Sequence, residues 1–257
     1  PVNISFDHRI WNYSNWTQYE LFIRPDIWYN SFDGFKTGLH LNGNYLNTHH
    51  VFDANIWYNT GLLQNLSENA DKNTHEKFSF RFNYRTNMNR IMRKSYVYFS
   101  VKQLDGLQAF RVGINKEDNS GNNLFYLYFN SLYRNSDSDL EYLLVNASQF
   151  LASNLWLSDK RNNTITLGAK HTYKYFKGNG EINISLKSSS FKSDYSYTQL
   201  SFASNNRTSL GKLVLKSRIV MQIGNGNNPA PESQIYFAGA NPEEMMENKY
   251  TRSSGFI

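Results

Sequence analysis

Cysteine is absent from the 257 residues, which excludes disulfides and thiolate metal sites. Only 5 prolines occur, and none interrupts a cleanly alternating run, as strand pairing requires. No apolar run reaches the roughly 18 residues of a membrane-spanning helix. Catalytic signatures are missing too. His75-Glu76 is followed by Lys77-Phe78-Ser79, so the second histidine of a His-Glu-X-X-His zinc helix is not there. No Gly-X-Ser-X-Gly elbow, phosphate-cradling loop or dinucleotide fingerprint occurs. Gly224-Asn225-Gly226-Asn227-Asn228-Pro229 lacks a lysine and a following helix, and reads as a turn. Glu243 and Glu244 are adjacent, and Asn241-Pro242-Glu243-Glu244 reads as a helix start. The sequence therefore nominates no catalytic, cofactor-binding or metal-binding residue.

The most telling absence is of charge, and it is confined to one face. Six stretches alternate apolar and polar residues with no Lys, Arg, Asp or Glu on the apolar side. They run through Phe35, Thr37, Leu39, Leu41, Gly43 and Tyr45; Phe52, Ala54, Ile56, Tyr58 and Thr60; Phe78, Phe80, Phe82 and Tyr84; Ile165, Leu167, Ala169, His171, Tyr173 and Tyr175; Ile182, Ile184 and Leu186; and Leu213, Leu215, Ser217, Ile219, Met221 and Ile223. The opposite faces carry 12 charges, among them Lys36, Arg81, Lys170, Lys216 and Arg218. A period of two is the signature of a strand, whose successive side chains point to opposite faces.

Two environments repel charge this strictly: a protein core and lipid. A soluble β-sandwich alternates as well. Strand length favours lipid, since 34–46 and 164–176 each exceed the usual five or six residues, and a tilted strand needs about 9–11 to cross a bilayer. Aromatics gather near the ends of the apolar faces, as girdles do, and the polar faces mix Lys and Arg with Asp and Glu, as a wet lumen would. Negative mean hydropathy is compatible with a barrel, which turns only alternate residues to lipid. The expected fold is an all-β antiparallel transmembrane barrel. Phe35, Leu39, Leu41, Tyr45, Phe78, Phe80, Phe82, Ile165, Leu167, Leu213, Leu215 and Ile219 are expected to face lipid, and Lys36, Arg81, Lys170, Lys216 and Arg218 the lumen.

Less regular β-rich stretches lie at 96–104, 107–115, 124–133 and 197–203, giving about ten to twelve strands. Leu124-Phe125-Tyr126-Leu127-Tyr128-Phe129 is apolar on both faces, which predicts packing against protein on its inner side. Lys177-Gly178-Asn179-Gly180 and Gln103-Leu104-Asp105-Gly106 read as tight hairpins, and 62–74, 116–123 and 204–209 as longer polar links. Leu140, Leu143, Leu144, Ala147, Phe150 and Leu151 recur at helical spacing, predicting a short amphipathic helix over 138–152. His49-His50 reads as a loop pair, His40 as lumenal, and His171 as an interfacial ring on the apolar face. The net charge of +6 is spread along polar faces, so no nucleic-acid partner is expected.

The segment 231–257, Pro-Glu-Ser-Gln-Ile-Tyr-Phe-Ala-Gly-Ala-Asn-Pro-Glu-Glu-Met-Met-Glu-Asn-Lys-Tyr-Thr-Arg-Ser-Ser-Gly-Phe-Ile, resembles the C-terminal region of membrane-associated aminopeptidase-N-like (gluzincin) metallopeptidases of Gram-negative bacteria. The run Asp33-Gly34-Phe35-Lys36-Thr37-Gly38, followed by Tyr58-Asn59-Thr60-Gly61, is similar to the first hairpin of that region. Such regions are similar to barrels of the outer-membrane assembly-factor superfamily. The resemblance implies an outer-membrane location, a lipid partner and a zinc-binding peptidase domain upstream of this chain. It assigns no peptidase residue here, and the Leu-Arg-Gly-Tyr-like loop motif of the family is missing. The expectation is one barrel domain over 1–257, truncated at both ends, that anchors or scaffolds a peptidase-linked protein. Two alternatives stay open: a subunit of an outer-membrane assembly or transport complex in contact with other outer-membrane proteins, and a soluble glycan-binding module using Trp28 and Trp57.

Overall fold

The computed structural model describes residues 1–6, 17–30, 34–63, 77–104, 107–134 and 160–233. They form one sheet of 12 strands in sequence order. These are β1 (Val2–Phe6), β2 (Tyr19–Asn30), β3 (Gly34–Tyr45), β4 (His49–Asn59), β5 (Phe78–Asn87), β6 (Ser95–Leu104), β7 (Leu107–Glu117), β8 (Asn123–Arg134), β9 (Arg161–Tyr175), β10 (Gly178–Ser189), β11 (Ser196–Leu210) and β12 (Leu213–Asn228). β1 pairs with β2 in parallel, and every later pair is antiparallel. Apart from β1, the strands run from 10 to 16 residues. β1 and β12 do not pair, so the sheet is an unclosed, barrel-like wall. Among the described residues there is no α-helix, only a 3-10 turn at Pro231–Ser233. The helix expected over 138–152 lies outside the described residues.

All six alternating stretches are strands, and the cross-strand register puts their apolar residues on one common face. Leu39 pairs with Ile56 and Ile56 with Phe80. Farther along, Leu127 pairs with Leu167 and Leu167 with Leu186.

Five details differ from the sequence reading. β2 carries Pro25 inside a strand, opposite Leu39. The ring is tolerated because pairing with β1 stops at Ile23, short of the proline. The hairpin read at 177–180 turns at 176–177, since Tyr175 pairs with Gly178 and the glycines belong to β10. The polar link expected at 204–209 is the second half of β11, and the turn expected at 224–229 falls, up to Asn228, within the end of β12. In β11, Ser204, Asn206 and Thr208 make the outer face polar as well, which erases the alternation. His49 and His50 open β4 and are not a loop pair.

The two rims of the wall differ. At one, the links are 46–48, 88–94, 118–122, 176–177 and 211–212; at the other, 60–77 and 135–160 are far longer. The link 118–122 is held by Asp118. Its carboxylate accepts hydrogen bonds from Ser120 Oγ at 2.7 Å, Asn122 N at 3.1 Å and Asn123 Nδ2 at 2.5 Å. The Ser120 and Asn123 side chains hold its pKa well below the ordinary 3.8. A carboxylate with a depressed pKa stabilises the fold above its unfolded value and loses that contribution as pH falls through the folded one. Amide exchange at Asn122 and Asn123 should therefore stay protected down to pH 4 and rise only in stronger acid, while Asp118→Ala should expose both amides at neutral pH.

Candidate functional site

The two faces of the wall have opposite chemistry and inverted burial. Leu39 is 52% exposed, Leu167 56% and Ile219 56%, whereas Lys36 is 0% and His40 4% exposed. In a water-soluble sheet the order would be reversed. Phe35, Leu39, Phe78, Ile165, Leu167, Leu213, Leu215 and Ile219 are exposed on the outer face. Leu41, Tyr45, Phe80 and Phe82 lie on that face half-buried among neighbours. On the inner face Lys36 is buried, Arg81 and Lys170 are half-buried, and Lys216 and Arg218 are exposed on the last strand.

The outer face is graded along the strands. A row of rings crosses its middle, from Phe52 to Phe82 (6.1 Å), Phe99 (6.0 Å), Phe110 (5.4 Å) and Phe129 (6.4 Å). Toward the long-link rim stand Tyr29 with Phe35 and Tyr58 with Phe78. Toward the short-link rim stand Tyr84, Tyr173 and Tyr175, with His171 beside Tyr173. These rim rings keep a polar tip satisfied. Tyr84 Oη meets His50 Nδ1 at 2.7 Å, His171 Nδ1 meets Asn123 Oδ1 at 2.7 Å, and Tyr29 Oη donates to the Leu63 carbonyl at 3.0 Å. Amphipathic rings bordering an apolar band are the arrangement of a barrel girdle. From Phe35 to Tyr45 the strand climbs about 33 Å, which at a tilt of about 40° is about 25 Å of height, the thickness of an apolar barrel band.

The inner face is a hydrogen-bonded polar wall. Asp53 gathers His40 Nε2 at 2.6 Å, Asn55 Nδ2 at 3.1 Å and Arg81 Nη2 at 3.4 Å. Lys36 Nζ stands 5.0 Å from the centre of the Trp28 ring, and Trp28 meets Trp57 edge to face at 6.2 Å. Beyond β12 the chain turns inward. Asn162 Nδ2 donates to Glu232 at 2.6 Å, Gln222 Nε2 to the Ser233 carbonyl at 2.6 Å, and Tyr197 Oη meets Ser233 Oγ at 2.7 Å.

Several inner contacts cross over a whole strand, and glycine makes room for them. Trp57 on β4 donates to Asp26 on β2 at 2.8 Å, passing over Gly38 of β3. Tyr126 on β8 donates to Asn183 on β10 at 2.9 Å, passing over Gly168 of β9. A Cβ at Gly38 would lie 2.7 Å from Trp57 Cδ1, and one at Gly168 2.3 Å from Tyr126 Cζ. The outer face uses the same device: Tyr19 on β2 donates to the His50 carbonyl on β4 at 2.6 Å past Gly43, and Tyr175 on β9 to Asn206 on β11 at 3.0 Å past Gly178. Of the inner aromatics in the doubly apolar stretch, Tyr126 makes such a contact, while Tyr128 Oη donates to Asn115 Oδ1 on the neighbouring strand at 2.5 Å.

Sequence reading missed Asp26, Asn162, Tyr197 and Glu232 as parts of this wall. The available signal was a polar-face glycine opposite an aromatic, as at Gly38 and Trp57. Among the described residues no group of three or more His, Asp or Glu side chains is placed to hold a metal ion. The nearest approach, His40 with Asp53, has the Arg81 guanidinium on the same carboxylate, which does not suit a cation. No family model matches the chain, and no curated protein is similar enough to count as a relative.

Gly38→Ala should displace the Trp57 indole from Asp26 and cost about 1–3 kcal/mol, the usual range for overpacking. A blue-shifted, quenched or broadened Trp signal should accompany the loss in a denaturant titration of the folded chain. Unchanged stability and fluorescence would show that the reach-over contact contributes nothing.

Proposed function

We propose that this chain is wall of an outer-membrane β-barrel, non-catalytic in itself, that anchors or scaffolds a peptidase-linked protein in a Gram-negative bacterium. The observation that carries the reading is the inverted burial: exposed Leu, Ile and Phe on the outer face against buried Lys36 and His40 on the inner one. Left in water, a fully exposed leucine-sized side chain forgoes roughly 1.5–3 kcal/mol of burial. Lipid supplies that burial to the outer face without a second layer of protein. The anchoring role and the peptidase link rest on the resemblance of 231–257 and 33–38.

Membrane residence imposes one further requirement. In hydrocarbon every backbone N–H and C=O needs a partner, and an open sheet edge is excluded. The outer edge of β12, 16 residues long, must therefore be paired in the membrane. The same edge favours a second reading, a subunit of an assembly or transport complex, in which a strand of another outer-membrane protein completes the pairing. The soluble glycan-binding reading fares worse, because Trp57 is buried at 6% exposure with its N–H committed to Asp26.

Replacing outward Leu167 by arginine separates the readings. In lipid the change costs roughly 2–4 kcal/mol near mid-bilayer; on a soluble surface it is close to neutral. The native chain is expected in the outer-membrane fraction, released only by detergent, with heat-modifiable gel migration. Leu167→Arg should deplete the folded membrane form, while Thr172→Arg, on the inner face of the same strand, should not. Recovery of native protein from the soluble fraction, or equal tolerance of both changes, would sink the membrane reading.

A further inference from the structure

Two inner carboxylates, Asp53 and Glu181, answer the cations beside them. Asp53 answers Arg81 and His40. Lys170 Nζ lies 2.5 Å from Glu181 Oε2, and Asn205 Nδ2 donates to the same carboxylate group at 2.9 Å. One step toward the short-link rim, the register aligns Lys174, Asn179, Arg207 and Lys216 in a single row across β9, β10, β11 and β12. Arg218, opposite Asn205, stands in the neighbouring row. Arg207 and Lys216 are directly opposed, and like charges placed so destabilise a sheet. None of Lys174, Arg207, Lys216 and Arg218 has a carboxylate partner among the described residues. Glu181 is already engaged, and Asp118 at the same rim is taken up by its own link.

These four cations line an open cavity of about 660 Å³ on the inner face, together with Asn179, Asn205 and Glu181, the one carboxylate in the lining, which Lys170 and Asn205 engage. The row extends over three strand spacings, about 14 Å. A sheet gains nothing for its own stability from such an arrangement; an anion of high charge density would turn the repulsion into binding. Arginine offers a planar fork suited to phosphate oxygens, and lysine a mobile point charge. Single carboxylates bring too little charge to answer four cations in one cavity.

We propose that this row is a binding site for a water-soluble oligophosphate, a ligand with two or more linked phosphate groups. The site opens on the inner face, away from the apolar belt, so a phospholipid whose chains lie against Leu167 and Ile219 does not reach it. The cation row rests on the inner register; from the membrane reading the inference takes only the detergent-folded state in which it is tested, and a folded chain that binds no oligophosphate leaves that reading standing.

Inorganic tripolyphosphate, titrated calorimetrically into the folded chain at low ionic strength, is expected to bind and to weaken as salt rises. The double change Arg207→Gln with Lys216→Gln should weaken binding by about tenfold or more. Lys216→Arg should retain it, which separates loss of charge from loss of fold. Arg90→Gln with Arg93→Gln removes the same charge from the link 88–94 and should leave affinity unchanged. Heat-modifiable migration confirms folding of each variant. Absence of binding overturns the proposal, as does an equal loss in the 88–94 double variant. Binding of anionic phospholipid vesicles in preference to tripolyphosphate would also overturn it.

Discussion

A strand offers each residue one of two faces, and among the described residues of this sheet the register keeps apolar side chains on one and polar side chains on the other. That constraint governs the rest of this molecule. Once Leu39, Ile56 and Phe80 share a face by register, Lys36, Asn55 and Arg81 must share the other. A slip of one residue in any pairing would put Lys36 or Arg81 among the outer leucines. The register is therefore fixed by the cost of a misplaced charge, roughly 2–4 kcal/mol each if the outer medium is lipid, as much as by any turn.

Among the described residues the inner side buries only a few apolar side chains, such as Leu104, Leu107 and Leu132, and most of its buried groups are polar, so polar contacts carry much of its cohesion. Each buried polar group needs a partner, because an unsatisfied one costs about 1–3 kcal/mol. Neighbouring strands alone do not supply enough partners. The inner side chains reach two strands away, Trp57 to Asp26 and Tyr126 to Asn183, and the strand between them must present a glycine. Gly38 and Gly168 thus belong to the hydrogen-bond network although they donate nothing from a side chain. Glycine placement and inner satisfaction are one arrangement seen from two sides.

The outer face was readable from sequence because its rule is simple: no charge, period two, aromatics toward the ends. β3, β5, β9 and β10 obey it, and the register puts their apolar residues on one common face. β2 obeys it too, with Leu21, Ile23, Ile27 and Tyr29 outward, but Pro25 masked the pattern. The proline penalty applies only where a neighbour needs the N–H, and the early end of β1 could not be read from composition. β11 failed for the opposite reason, since Asn206 and Thr208 put polar groups where the rule demands apolar ones. The inner wall was harder. Its charges alternate with the apolar residues and so fall on one face, but which ones pair depends on contacts across strands, and register is not written in either strand alone. The turn at 176–177 shows the same limit: glycines mark flexibility, yet the pairing of Tyr175 with Gly178 decides where the chain reverses.

The two ends of the sheet are chemically unequal, and this asymmetry ties the wall to whatever completes it. β1 is 5 residues long and parallel to its neighbour, a short edge that offers little to a further strand. β12 is 16 residues long, apolar on its outer face and basic on its inner one. A strand added at β12 would extend the belt through Leu213, Leu215 and Ile219 and would bring its own inner residues beside Lys216 and Arg218. If those residues were acidic, they would neutralise the row and close the anion site. If they were neutral, the row would remain charged and face the lumen. The composition of that neighbouring strand therefore decides whether the basic row is a binding surface or a seam, which links the pairing of the edge to the chemistry of the interior.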